Sequence, residues 1–384
     1  MSNRFQLVGS LLRPADLLEY KRKIEGRDDI SYPFYQDFDG YQACEDNAIK
    51  QVIAKQIQEG ITVVSDGEYS KSLWHLDFYW GLKGIKRRIA DSGYIFRDHD
   101  QTTAFETRKD IGIDIVSPLS GKDHHFIAIF KKIQEYATGH ITKLCIPSIS
   151  HMYGEITLSK STGTYNDHVY TDSQGLKEGL IKAYKEFVDD FAVAGGKILQ
   201  LDDCLWTLFS DDNPNSPFTG KSEVQSTDFA NEFIQLNNEI ILYAKSKGIA
   251  VWTHNCRGNY ASRNMGAGSY ERIAELFLKQ QKYDRFFLEW DDERAGSIDA
   301  LKAFADRDGE VVLGLLSSKK SELDDETRII KLLDDACKII DKDRLFLSHQ
   351  CGFASCDNGN ELTQAQQWEK IKQGQKIARE YWGE

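Results

Sequence analysis

The most regular feature of the chain is a short apolar run followed by a longer stretch in which apolar positions recur at helical spacing. The runs lie at 5–10, 62–66, 143–148, 197–203, 249–255, 285–290, 311–318 and 345–351. From the fourth onward the intervening stretches are clear, for example DFANEFIQLNNEIILYAKSKG and ETRIIKLLDDACKII, whose period is that of amphipathic helices. Eight strands alternating with helices predict an α/β fold with a parallel sheet, and eight is the number that closes a (β/α)8 TIM barrel. An open doubly wound sheet has the same period and is the alternative. Residues 78–142 are too long for a simple connection and carry alternating segments, YIFRDHD and IGIDIVSP. They predict a β-hairpin insertion after strand 2 and a helix at 123–138, packed beside the barrel mouth. No repeat, low-complexity tract or linker divides the chain, so residues 1–384 are expected to form a single catalytic domain with this insertion.

The polar residues cluster where the runs end. The first run ends in Gly9-Ser10, the second in Asp66-Gly67-Glu68, the fourth in Asp202-Asp203 and the fifth in His254-Asn255-Cys256. Glu289 closes the sixth, and His349-Gln350-Cys351-Gly352 the eighth. Loops are polar wherever they begin, but that accounts poorly for this mixture of His, Cys and carboxylates. In a barrel the carboxyl edge of the strands is where loops build the active site. Strand side chains alternate between faces, so His254 and Cys256, two apart, present a nitrogen and a sulfur to one small volume. With Cys351 and Glu289 at two further tips, the donor set suits the borderline-soft preferences of zinc. Cys356 is a rival ligand, placed several residues beyond the last strand. Taken singly, a buried Cys or His is more often a core residue than a ligand; the convergence of tips on one edge argues otherwise.

Composition narrows the function classes. Hydrophobic residues make up 41% and charged residues 28% of the chain, a globular balance with material for a large core. A net charge of −12 argues against nucleic acid, whose phosphates need a basic surface. The first residues lack the apolar segment of a signal peptide, and no stretch reaches the roughly 18 apolar residues of a membrane span. The seven cysteines, Cys44, Cys145, Cys204, Cys256, Cys337, Cys351 and Cys356, are odd in number and scattered, the usage of reduced thiols rather than of a disulfide framework. A cytoplasmic enzyme is expected, and association into a homo-oligomer stays open.

The segments VGSLLRP, VVSDGEYSKSLWHLDFY, ILQLDD, WTHNC, FFLEW and LSHQCG resemble the catalytic C-terminal domain of cobalamin-independent methionine synthases, in particular their single-barrel bacterial group, over nearly the whole length. The resemblance implies a (β/α)8 barrel with a catalytic Zn2+ held by His254, Cys256, Glu289 and Cys351. It implies methyl transfer to a small-molecule thiol, homocysteine, to give methionine, with 5-methyltetrahydrofolate as donor. The substrate ammonium would face Glu68 and Asp202, and its carboxylate would meet Val8 and Ser10. Zinc fits this chemistry because a free thiol, with a pKa of about 8.5, is mostly protonated at neutral pH, and coordination deprotonates it. Glu289, an oxygen ligand, is expected to give way to the substrate sulfur.

On the donor side the chain departs from the family pattern. The loop after the seventh strand reads LGLLSSKKSE and lacks the family's proton-donating histidine; Lys319 stands near its place, with His349 or His75 as substitutes. The aromatic ring that the family stacks on the pterin has no clear match, Tyr153 being the candidate, and Trp74, His75, Phe78, Tyr79 and Trp80 are candidates to line this side. A methyl-corrinoid is the alternative donor, and a different thiol the alternative acceptor. A metal-free lyase like the uroporphyrinogen decarboxylases would want arginines at the mouth, with Arg13, Arg257 and Arg294 as candidates. A non-catalytic zinc-binding or sulfur-sensing protein would close its four-ligand site to substrate.

Overall fold

The computed structural model describes residues 3–98, 103–158, 163–164, 169–210 and 223–384. Strands are numbered β1 (Val63–Val64), β2 (Lys83–Arg88), β3 (Ile95–Arg97), β4 (Ala104–Glu106), β5 (Gly112–Ser120), β6 (Ile141–Thr142), β7 (Leu144–Pro147), β8 (Gly163–Thr164), β9 (Ile198–Asp202), β10 (Ala250–Asn255), β11 (Arg285–Glu289), β12 (Glu310–Leu316) and β13 (Leu345–His349). Six of them form one parallel sheet in the order β13-β12-β11-β10-β9-β7. β1 pairs in parallel with β6, immediately before β7. The first expected strand is reduced to a single parallel bridge, Phe5 to Leu347. Helices including Ser173–Val193, Glu223–Ser246 and Glu326–Cys337 connect the strands and Gln364–Trp382 follows the last one, two of these helices being started by Asp325 and by a Thr363–Gln366 capping box. These satisfy amide groups the first helical turn leaves open.

The eight apolar runs are thus present as six laddered strands, one two-residue pair and one bridge. The first run is short of ladder bonds for a local reason. The Lys143 ammonium donates to the carbonyls of Leu7 and Val8, each at 2.7 Å, and Gln200 donates to Val8 as well. Between the first and second runs the link is at the lip, from Leu11 N to the Gly67 carbonyl.

What the runs share is an inward layer. Val8, Val63, Ile198, Trp252, Phe287, Val312 and Phe346, one from each of seven runs, form a hydrophobic cluster separate from the main core. The third run contributes Lys143, fully buried, with its ammonium over the rings of Trp252 and Phe287. Counting in steps of two toward the carboxyl edge, the face that carries this layer then carries Ser10, Cys145, Asp202, His254, Cys256 and Glu289, as the strand period requires. The register seats Asp202 beside His254 on β9 and β10.

Residues 78–142 hold β2 paired antiparallel with β5, the β3–β4 hairpin between them, and the helix His125–Tyr136; His99 and Asp100, the last two residues of the expected alternating segment, lie outside the described residues. The hairpin is fastened over the sheet's carboxyl edge. Arg97 bridges Asn264, and the buried Arg108 pairs with Asp357 at 2.5 Å, beyond β13. Among the described residues no helix is long and apolar enough to cross a membrane.

Candidate active site

Three thiols and an imidazole meet at the carboxyl edge of the sheet. His254 is the fifth residue of β10, Cys256 follows the strand's end, Cys351 lies two residues past β13, and Cys204 opens the turn after β9. Cys204 Sγ is 3.3 Å from Cys256 Sγ, and donor atoms of Cys204, His254 and Cys256 all lie within 4.8 Å of one another. Cys351 interacts with both Cys256 and His254, and its sulfur is 3.6 Å from Ser355 Oγ. A hydrogen bond from Cys256 first, and the charge of His254 after it, hold the Cys351 thiol well below its ordinary range. Burial works against a charged His254, but Cys351, Cys204 and Asp202 outweigh it and push the imidazole up to about 10.

Glu289 is turned elsewhere. Its Oε2 accepts from the Arg257 amide at 2.7 Å and its Oε1 from the Arg294 guanidinium at 3.1 Å. Neither Glu289 nor Cys351 belongs to the two clusters whose donor atoms lie close enough together to share an ion among the described residues.

The second of those clusters is Glu68, Cys145 and Asp202, all buried. Asp66 accepts from the amides of Glu68 and Ser70, holding the Asp66-Gly67-Glu68 turn in which Glu68 takes a left-handed φ of 61°. Lys71 donates to Glu68 at 3.1 Å, and Gln200 donates to Asp202 at 2.7 Å. Burial, with the neighbouring Glu68 charge adding to it, raises Asp202 to about 7. Ser10 sits beside these carboxylates, its hydroxyl accepting from Ala354 N at 3.2 Å.

One cavity is lined by the sulfurs and His254, by Glu68, Asp202, Val8 and Ser10, and on its far side by Trp74, His75, Tyr94, Phe96, His151 and Tyr260. Burial pushes His151 down to about 3 and His75 well below its usual value, so both face the cavity as neutral imidazoles at neutral pH. His75 Nε2 lies 2.9 Å from the Tyr94 hydroxyl, while its Nδ1 has no hydrogen-bond partner among the described residues.

Several expected residues lie off this cavity. Lys319 donates to the Gly258 carbonyl and to Asn264; His349 is packed edge-on against Phe5 and Phe353. Tyr153 stacks on Phe229 and donates to Glu232, and Phe78, Tyr79 and Trp80 are core. Arg13 ties together four carbonyls, those of Glu68, Lys71, Ala354 and Cys356. Arg257 does line the cavity, but its guanidinium donates to Gly268 across the face of Tyr270, while Arg294 pairs with Glu289 and Asp292. Cys204 is the residue that sequence reasoning passed over. The signal was available: it follows the Asp202-Asp203 tip on the strand next to the one that carries His254.

No protein-family model matches the chain. It is 31% identical to the uncharacterized protein YxjH of Bacillus subtilis (strain 168) over 378 residues, 98% of this chain and 93% of that protein. It is 30% identical to YxjG of the same organism, over 88% of this chain and 85% of that one. Among solved structures, a putative vitamin-B12 independent methionine synthase from Listeria monocytogenes superposes with a TM-score of 0.71 at 26% identity, covering 98% and 97% of the two chains. The chain belongs to the cobalamin-independent methionine synthase-like family. A B12-independent methionine synthase from Shewanella sp. W3-18-1 shares this family's fold at 18% identity, with a TM-score of 0.68 over 99% and 97% of the chains.

Proposed function

We propose that the protein is a zinc-dependent methyltransferase that methylates the sulfur of a small amino-acid thiol, homocysteine fitting best. The observation that carries the reading is one cavity lined together by soft metal donors, two buried carboxylates and a set of aromatic rings. We read the eight runs, converging on a common inward layer, as a (β/α)8 barrel spanning the whole chain, with residues 78–142 inserted over its mouth.

His254, Cys256 and Cys351 fit zinc by donor type and proximity. When bound there, the ion would supply a substrate thiolate at neutral pH, the form that attacks a methyl group. The chain's own residues do the positioning. Glu68 and Asp202 receive the substrate ammonium through charge-assisted hydrogen bonds, which keep the sulfur near the metal donors. The Ser10 hydroxyl and the backbone at Val8 face the substrate carboxylate. Trp74, Phe96 and Tyr260 offer flat apolar faces to a planar methyl donor, and neutral His75 and His151 accept or relay protons at its polar edge. These surfaces suit the ring of 5-methyltetrahydrofolate; a methyl-corrinoid is the other donor to be assayed. Selenomethionine held by the Shewanella protein is in keeping with a sulfur amino acid in this fold.

The test is a single-turnover assay with zinc-replete protein, homocysteine and each donor, with methionine measured by mass spectrometry. Methionine that appears with zinc and disappears on chelation is the expected result. A protein that binds no zinc after reducing, metal-replete preparation would refute the reading.

A further inference from the structure

One cation on the cavity wall has no anion. Arg257 lines the cavity and is 1% exposed, yet no carboxylate pairs with its guanidinium among the described residues. One edge of the fork is used: Nε and Nη2 donate to the Gly268 carbonyl at 2.8 and 2.6 Å, and the plane lies over Tyr270, 4.1 Å from the ring centre. Nη1 is shielded from solvent and has no hydrogen-bond partner among the described residues. The acids beside it or on the same cavity face other groups. Glu289 accepts from the Arg257 amide and from Arg294, Glu68 from Lys71 and Asp202 from Gln200, while Glu155 Oε1 stands 3.9 Å from His75 Nε2. A buried guanidinium calls for an oxyanion that meets both its charge and its N–H groups, and its terminal nitrogens match the two oxygens of a carboxylate. Stacking on Tyr270 offsets part of the cost of burial but gives Nη1 no acceptor.

Resting on the methyl-transfer reading above, we propose that Arg257 is a specificity-determining residue that takes a carboxylate of the methyl donor, end-on through Nη1 and Nη2. In that reading the acceptor's charges are already matched, its ammonium by Glu68 and Asp202 and its carboxylate by Ser10 and Val8. The open guanidinium is left for the second substrate, which is therefore of the class that carries an acidic tail beside its methyl-bearing ring. Tyr260, one of the aromatic faces of the cavity, follows Arg257 by three residues on the same loop, so one segment serves both ring and tail. Met265 lines the same cavity, and its amide donates to the Arg257 carbonyl at 3.0 Å. Its flexible thioether is suited to yield as a tail enters.

Titration calorimetry on the zinc-replete full chain tests this with two probes, 5-methyltetrahydrofolate and its bis-amide, in which both glutamate carboxylates are carboxamides. Wild type should bind the acid roughly 10- to 100-fold more tightly than the bis-amide, the difference a charge-assisted pair carries. Arg257→Met should bring the acid down to the level of the bis-amide and leave the bis-amide unchanged. Arg257→Lys, which keeps the charge but not the fork, should fall between wild type and Arg257→Met. Equal affinity for the two probes in wild type, binding of neither, or an equal loss of both in Arg257→Met would leave Arg257 a structural tie between Gly268 and Tyr270 and overturn the proposal. A second pair of probes, homocysteine and 3-aminopropane-1-thiol, which lacks the carboxylate, fixes the source. If Arg257→Met abolishes that discrimination instead, the carboxylate is the acceptor's and the donor assignment falls. Should Arg257→Met fail to fold, the wild-type comparison of acid and bis-amide still decides. Failure of the underlying reading is separate: it shows as zinc, or methionine with every donor, absent from reduced, metal-replete wild type.

Discussion

At the scale of single residues, the proposed function divides the site into groups that would hold the metal and groups that would hold the substrate, and the two should separate in experiment. Cys256→Ser or Cys351→Ser removes a buried sulfur from the proposed ligand set. Elemental analysis should show zinc falling from about one per chain to a small fraction, with methyl transfer lost in proportion. Asp202→Asn leaves every sulfur in place but removes a charged partner of the substrate ammonium. A charge-assisted hydrogen bond contributes about 1.5–3 kcal/mol, so KM for homocysteine should rise by roughly 10- to 100-fold while zinc content stays constant. An unchanged KM would move the ammonium site elsewhere. His254, Cys256 and Cys351 were legible because each stands at the end of an apolar run, and strand alternation aims His254 and Cys256 the same way. Cys204 was passed over although it follows the Asp202-Asp203 tip, because that run ends in carboxylates and the cysteine falls in the turn beyond it. Lys319 and His349 were placed by sequence position at two tips, but packing turned one to Gly258 and Asn264 and the other to Phe5 and Phe353.

At the scale of elements, the cavity depends on how closely the loop after β13 is drawn to the first run. A Cβ added to Gly352 would stand 2.0 Å from Ser10 Oγ and 2.9 Å from Ser10 N. The hydroxyl can rotate away, but the backbone amide cannot, so Gly352→Ala must part the two segments. Overpacking of this kind costs about 1–3 kcal/mol. The variant should lose several degrees of melting temperature and bind homocysteine more weakly, which thermal denaturation and titration calorimetry would measure. The hairpin over the mouth hangs on the Arg108 guanidinium, which serves both Asp110 and Asp357 with all three buried. Arg108→Met strands Asp357 and leaves Asp110 to Arg87 alone, and removing one partner of such a network costs about 3–5 kcal/mol. A urea midpoint close to that of wild type would show that the hairpin is held by other contacts.

At the scale of the whole molecule, buried histidines tie stability to pH. Burial foremost pushes His124 and His151 down to about 3 and His125 to about 4. His124 shows why the neutral form is required: Nδ1 accepts from Phe126 N while Nε2 donates to the Phe78 carbonyl, and protonation would abolish the first bond. Their folded values are below the unfolded value of about 6.5. Stability is therefore fully present above pH 6.5 and declines as pH falls toward 3–4, because the unfolded chain takes up protons that the folded one refuses. Each group contributes up to about 1.4 kcal/mol per pH unit in that window. Urea midpoints at pH 7.5, 6 and 5 should fall in that order, and a flat profile would show these imidazoles to be solvated.

The sequence by itself determined the alternation of buried strands and amphipathic helices, the edge on which chemistry gathers, and three of the sulfur and nitrogen donors. These follow from local rules: periodicity reports burial, and strand ends report where side chains leave the core. Tertiary structure decided what depends on distance between segments far apart in the chain. It turned Glu289 toward Arg257 and Arg294, set Cys204 against Cys256, placed Lys71 on Glu68, and replaced ladder bonds of the first run with Lys143 and Gln200. Each is a competition among polar partners for one buried group. The winner is the partner that packing brings within hydrogen-bond reach, a quantity no single segment of the chain contains.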